Sequence, residues 1–314
     1  MLEASLQHTV RTWSKPVTVY EPMKYGLSSG GKRLRGVLVM LSAAAVGGRV
    51  RDAIHAAVAV EMLHNFTLIH DDVMDHAPMR RGIPTIHRKW DENVAILAGD
   101  TLLAKAYESL LQTTSHKLSE VAKEFTGAFL EVCEGQALDK EFECRTSVGL
   151  PEYYAMIGKK TARMISSAAV IGGVVGNASK KKIQLLRKFG KHLGLAFQIQ
   201  DDVLDIIGDE MKFGKKIGGD IIEGKKTFLL LAALARARGE EKKILESVVP
   251  GNPGNERKVP AVREIYIRLG AVDGAHREIL RQTTIAQNML SGFPDLPATS
   301  ELLAYARSLA QRRV

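Results

Sequence analysis

The stretch "DAIHAAVAVEMLHNFTLIHDDVMDHA", residues 52–77, decides the fold. It holds neither Gly nor Pro, and Ile54, Val58, Met62, Phe66 and Ile69 recur at a helical period. Most other positions are Ala, Val or Leu, so the helix is apolar nearly all round and belongs at the centre of a packed body. Pro78, Gly82 and Pro84 then break it. The run ends in three aspartates within five residues, Asp71, Asp72 and Asp75, with Arg80 and Arg81 just beyond. "QIQDDVLDIIGDE", 198–210, repeats the spacing in Asp201, Asp202 and Asp205.

Working outward, helical signals recur almost everywhere. They predict helices near 93–112, 116–142, 151–166, 182–208, 224–238, 260–270, 274–290 and 298–311. Pro151 and Pro260 suit first-turn positions, and Ser179 suits a cap. Strand signals are nearly absent; "PVTVY", 16–20, is the one short β-like run. "VVPGNPGNERKVP", 248–260, is the strongest loop signal. The expectation is an all-α chain, one domain over 1–314, built as a bundle of long antiparallel helices.

With 45% hydrophobic and 25% charged residues, the composition is that of a globular protein with a large core. A net charge of +9 points to an anionic partner: nucleic acid, a membrane or a phosphorylated small molecule. No nucleic-acid-binding module and no aromatic–basic interleaving supports the first. Cys133 and Cys144 form neither a metal pattern nor a disulfide framework, and read as free thiols in a reducing compartment. The N-terminus lacks signal-peptide organisation. "MISSAAVIGGVVGNAS", 164–179, is too short and too rich in Gly and Ser for a membrane span. A cytoplasmic protein without stable membrane insertion is expected.

Residues four apart share a helix face, so Asp71 and Asp75 project together with Asp72 beside them, and Asp201, Asp205 and Asp202 repeat the arrangement. Two such helices facing each other would line a mouth with carboxylates, hard oxygen ligands that suit Mg²⁺ sharing its shell with substrate phosphates. A single acidic i, i+4 pair is an ordinary solvated face. Here each triad ends an apolar stretch, and the spacing occurs twice. The EF-hand is excluded by spacing and by the missing loop glycine.

Bases accompany the acids. "GLSSGGKRLRG", 26–36, is a glycine turn followed by Lys32, Arg33 and Arg35, with Lys32 and Arg35 expected on one helix face. It is not a Walker A loop. Lys215, Lys216, Lys225 and Lys226 follow the second triad. Carboxylates and bases so interleaved suit a diphosphate with its metal ions.

In this order, "GGKRLR", "LIHDDVMD…RRGIPTIH", "GKKTA", "FQIQDDVLD" and "GKKIGGDIIEGKKT" resemble the motifs of the trans-isoprenyl diphosphate synthases over Tyr20 to Leu234. That resemblance implies the all-α isoprenoid synthase fold around a deep central cavity, a homodimer, and Mg²⁺, three ions per active site. It implies condensation of isopentenyl diphosphate with dimethylallyl, geranyl or farnesyl diphosphate. Asp71, Asp75 and Asp201 would be metal ligands, supported by Asp72, Asp202 and Asp205. Arg80, Lys160, Lys215 and Lys225 would hold the allylic diphosphate. Gly31, Lys32, Arg35, His64 and Arg81 would hold isopentenyl diphosphate; Thr161 and Gln198 would face the developing carbocation. Phe66, five residues before Asp71, would floor the cavity, with Thr67 beside it and Leu63 a second candidate. That pattern is similar to archaeal geranylgeranyl (C20) diphosphate synthases, with a C15 or longer product as the alternative. A terpene cyclase is disfavoured by "DDVLD", and a non-catalytic subunit by both triads being present. Gly36 departs from the family's usual Pro, which would loosen the start of that helix. The segment before "GGKR" is short, so a trimmed first helix is expected. "QRRV", at the end, would close over the second substrate.

Overall fold

The computed structural model describes residues 1–208 and 217–310, with side chains to Ser308. It is all-α, apart from a two-stranded antiparallel hairpin. The helices run α1 (Leu2–Arg11), α2 (Val17–Ser28), α3 (Leu34–Ala45) and α4 (Ile54–Met74). The hairpin β1 (Met79–Arg80) and β2 (Ile83–Pro84) follows, and then α5 (Ile86–Lys89), α6 (Glu92–Leu111) and α7 (Leu118–Cys144). Next come α8 (Leu150–Ile157), a π-helical turn (Gly158–Ala162), α9 (Arg163–Val175) and α10 (Lys180–Ile207). The remainder is α11 (Gly219–Glu223), α12 (Phe228–Leu234), α13 (Gly239–Glu246), α14 (Asn255–Arg268), α15 (Ala271–Asn288) and α16 (Pro297–Ala310).

The chain forms two compact units. The first is Met1–Phe129 with Ser167–Arg187 and Gly292–Leu302; the second is Leu130–Ser166 with Lys188–Ser291 and the C-terminal residues. In the first, α4 is the centre, as its all-round apolar sequence predicts: it packs most extensively on α6, then on α3. Ala56, Val58, Met62 and Leu63 are almost completely buried. At about 25 cal/mol per Å², each of the three larger side chains, Val58, Met62 and Leu63, contributes roughly 1.5–3 kcal/mol. In the second unit, α12 (FLLLAAL) plays the same part, packing on α14, α15, α8 and α13. Among the described residues no helix is long and apolar enough to cross a membrane.

Several local expectations change. "PVTVY" opens the helix α2 rather than a strand, because packing against α6 outweighs the β-preference of Val and Thr. The segment before "GGKR" forms two helices, and Leu2 and Leu6 of α1 are buried. The predicted 151–166 helix is interrupted by the π turn and continues to Val175. The loop read over 248–260 gives way to α14 at Asn255, so Pro260 lies inside that helix and not in its first turn. Buried Asn255 secures this early start by donating to the Val249 and Ile222 carbonyls, at 2.8 and 3.2 Å. Ser179 does cap α10, with its hydroxyl 3.4 Å from the Lys182 N–H.

Candidate functional site

In the first unit, the loop before α3 carries Gly30 and Gly31 at φ +79° and +132°, followed by Arg33 at +48°. Arg33 is tied down by Glu3 Oε2 at 3.0 Å and the Leu27 carbonyl at 2.7 Å. The left-handed turn leaves Lys32 outside the helix, so Lys32 and Arg35 do not share a helix face. Lys32 is exposed, and Arg35 reaches α4. Arg81 donates to the Gly30 carbonyl. A Cβ at Gly31 would lie 3.0–3.1 Å from that guanidinium, so glycine there provides the space as well as the backbone conformation.

Arg35 Nη1 lies 3.0 Å from His64 Nε2. A guanidinium can only donate, so Nε2 is the acceptor and the ring proton sits on Nδ1. Burial, then the charges of Arg35, Arg81, Arg80 and Arg33, hold the imidazole well below the usual histidine range. Burial and the other arginines likewise lower Arg81, while Glu61 opposes them. Four guanidinium groups thus act on one neutral imidazole, a field that an anion relieves.

Gly36 explains its own departure from proline. Its N–H donates to the buried Glu61 Oε1 at 2.8 Å, a bond proline cannot make. An added Cβ would lie 2.9 Å from Glu61 Cγ and 3.0 Å from the Ala57 carbonyl oxygen. The start of α3 is therefore pinned here, not loosened.

Asp71 and Asp75 lie one turn apart at the end of α4, and the Asp75 N–H donates to the Asp71 carbonyl at 2.8 Å. Asp72 is buried and accepts from Arg80 Nε at 2.7 Å. A cavity beside this pair is lined by Tyr25, Ser29, Asn65, Asp72 and Arg80. Leu63 and Phe66 are buried, and Thr67 turns its hydroxyl back to the His64 carbonyl at 2.8 Å. The Phe66 ring lies against His70 (centroids 4.6 Å apart) and edge-on to Phe129 (5.5 Å).

In the second unit, the "GKKTA" motif is the π turn. α7 and α10 come so close that a Cβ at Gly135 would stand 2.3 Å from the Lys160 nitrogen, and one at Gly194 2.4 Å from Ala162 Cα. Such turns widen a helix, and they recur at functional sites. Lys160 pairs with Asp139 at 2.5 Å. The Thr161 hydroxyl donates to Gln198 Oε1 at 2.7 Å, and the Gln198 amide donates to Asp202 Oδ1 at 3.1 Å. Asp202 Oδ2 also accepts from Tyr153 Oη at 2.7 Å and the Phe228 N–H at 3.0 Å. Burial and the nearby Asp220 carboxylate raise Asp202 against those bonds, to about 7. Asp205 Oδ2 accepts the Asp220 N–H at 3.0 Å, and its carbonyl accepts the Gly218 N–H at 2.8 Å.

A cavity is lined by Asp139, Lys160, Gln198, Asp202, Lys225 and Lys226. Lys225 pairs with Glu223 at 2.5 Å. Burial lowers Lys226, which has no ion pair among the described residues. Lys215 and the "QRRV" terminus lie outside the described residues.

The carboxylates supply hard oxygen donors of the kind Mg²⁺ takes. Among the described residues no three acidic, His or Cys groups converge to hold an ion by themselves. The partners that order the site were not legible in advance. Asp139, Tyr153 and Glu61 carry no motif signal, whereas Asp220 stood inside the quoted "GKKIGGDIIEGKKT".

The Polyprenyl synthetase family model matches residues 16–266. The chain is 40% identical to a geranylgeranyl diphosphate synthase of Saccharolobus solfataricus, covering 94% of this chain and 91% of that one. It is 39% identical to a short chain isoprenyl diphosphate synthase of Methanothermobacter thermautotrophicus, covering 95% and 91%. The crystal structure of a geranylgeranyl pyrophosphate synthetase from Pyrococcus horikoshii superposes with a TM-score of 0.93 at 35% identity, covering 99% of this chain and 95% of that one. The chain belongs to the polyprenyl synthetase family and is a trans-prenyltransferase.

Proposed function

We propose that this prenyltransferase condenses isopentenyl diphosphate with an allylic diphosphate (dimethylallyl, geranyl or farnesyl) and delivers mainly the C20 product, geranylgeranyl diphosphate. The observation that carries the reading is on α4: an imidazole kept neutral among four guanidinium groups, seven residues before Asp71. One helix thereby offers an anion site and cation ligands together.

Prenyl diphosphate synthases depend on divalent cations. When bound, Mg²⁺ neutralises the pyrophosphate leaving group. Asp71, Asp75 and Asp201 would hold three such ions. Asp72, Asp202 and Asp205, engaged by Arg80, by Tyr153 and Gln198, and by Asp220 respectively, act as the supports that orient them.

Arg80, Lys160, Lys215 and Lys225 grip the allylic diphosphate, and Gly31, Lys32, Arg35, His64 and Arg81 grip isopentenyl diphosphate. The Thr161 hydroxyl donates its hydrogen bond to Gln198 Oε1, which leaves its lone pairs for the allylic cation formed when the carbon–oxygen bond breaks. The double bond of isopentenyl diphosphate attacks that cation. The proton lost from the adjacent carbon goes to the departing pyrophosphate, and an alkene is restored. Phe66, with Leu63 and Thr67 near it, ends the space for the growing chain.

A single functional domain over 1–314, working in the cytoplasm, and a homodimer complete the reading. The exposed apolar stripe Ile96, Leu97 and Leu111 on one side of α6 supports the dimer. The test is a product assay with Mg²⁺, labelled isopentenyl diphosphate and each allylic primer. A dominant C20 alcohol after dephosphorylation, abolished by EDTA, supports the whole. A C15 product, or one longer than C20, removes the length assignment alone. Folded protein that condenses no primer is instead a non-catalytic subunit.

A further inference from the structure

Phe66 does not stand alone, and what stands behind it is specific. His70, one helical turn further along α4, lies tilted by 54° against the Phe66 ring with centroids 4.6 Å apart, while Phe129 of α7 meets that ring edge-on at 5.5 Å. The imidazole is held from α6. Its Nε2 lies 3.4 Å from the Ile96 carbonyl oxygen and 3.7 Å from Asp100 Oδ1. It fits there because residue 99 has no side chain. A Cβ at Gly99 would stand 2.3 Å from Nε2 and 2.4 Å from Cδ2, distances no packed atoms adopt.

We infer that His70, seated on Gly99, is a positioning residue for product length: it backs the Phe66 ring and fixes where the growing chain stops. The inference rests on the reading of Phe66 as the floor. The physical argument is that an aromatic side chain resists an advancing prenyl tail only as firmly as its neighbours resist it. Phe66 can turn about its own torsions, and rings in offset or edge contact are worth about 0.5–1.5 kcal/mol each. Removing one neighbour leaves a void into which the ring can yield. The α6 backbone makes His70 the stiffer of the two neighbours, since the helix at Gly99 leaves the imidazole no room to move toward it.

The experiment measures the ratio of C25 to C20 products from farnesyl diphosphate and isopentenyl diphosphate, with melting curves to certify folding. Four proteins are compared with the wild type: Phe66→Ala, His70→Ala, Gly99→Ala and the double variant His70→Ala with Gly99→Ala. His70 precedes a metal ligand, so its variant also loses rate. The ratio, unlike the rate, reports where elongation stops.

His70→Ala raises the C25:C20 ratio at least fivefold. Gly99→Ala shifts it at least threefold by dislodging the imidazole, yet adds nothing on the His70→Ala background, where there is no ring to displace. An unchanged ratio in His70→Ala, alongside longer products from Phe66→Ala, overturns the inference and leaves the floor standing. A Gly99→Ala effect that persists without His70 also overturns it, since the contact would then act elsewhere. Unchanged products from Phe66→Ala overturn the floor itself, and the role of His70 with it.

Discussion

The two aspartate triads share one spacing and little else. Asp72 is neutralised by a charge, the Arg80 guanidinium at 2.7 Å. Asp202 is held by dipoles: a phenol, a backbone N–H and a carboxamide. Burial, and then its neighbour Asp220, push it up, to about 7, where a cation would hold it down. The same pattern therefore produces an electrostatically closed support in one unit and a polarisable network in the other. Sequence spacing says which carboxylates share a helix face; the side chains arriving from other elements decide what each one does.

The largest effect expected from breaking this comparison comes at the outer aspartates. Asp71→Ala and Asp201→Ala should each lower kcat/KM on the order of 10³-fold, as loss of a transition-state charge partner does. Steady-state kinetics in Mg²⁺ checks this, and a large drop at one with near-normal activity at the other would end the treatment of the triads as equals.

Next comes stability. Arg80→Ala takes the guanidinium from the buried Asp72 carboxylate and should cost about 3–5 kcal/mol. Tyr153→Phe removes one neutral donor from Asp202 and should cost about 1–2 kcal/mol. Urea unfolding of both ranks charge against dipole, and equal losses would erase the distinction. Within the network, Thr161→Val should reduce kcat about tenfold with KM little changed, because the hydroxyl faces charge that develops only at the transition state.

The smallest effect is a pH dependence. His64 sits below its unfolded value, so the folded state binds fewer protons than the unfolded one between the two. Stability should be fully present above about pH 6.5 and decline as pH falls from there toward the native value. His64→Gln should flatten that slope in melting curves recorded from pH 7 to 5. Asp202 has the opposite sign: a raised carboxylate loses stability as pH rises toward about 7.

Much of the fold was readable because periodicity is a property of single segments. The run over 52–77 declared a central helix through its composition, and the core of α4 follows it residue by residue. What failed were places where a distant segment outweighs a local preference, as α6 does for "PVTVY". The site divides in the same way. Its charged ligands stand in motifs, but the residues that aim them do not: Asp139 comes from α7 and Glu61 from the apolar interior of α4. Gly36 was misjudged for that reason. Without its buried acceptor, a missing proline looks like lost rigidity, whereas the structure shows a bond that proline would abolish.

The π turn at 158–162 carries a consequence for how this chain can tolerate length changes. An α-helix that closes one wide turn accommodates an additional residue, and a residue advances the helix by about 100°. Tyr153, before the turn, reaches Asp202; Arg163, after it, reaches Glu131 at 2.6 Å. Deleting any one residue of "GKKTA" could leave a smoother, continuous helix with better local geometry. It would also throw those two side chains out of phase, so that no rotation of the whole helix restores both. The irregular turn works as a phase adjuster, and the regular helix would be the defective one.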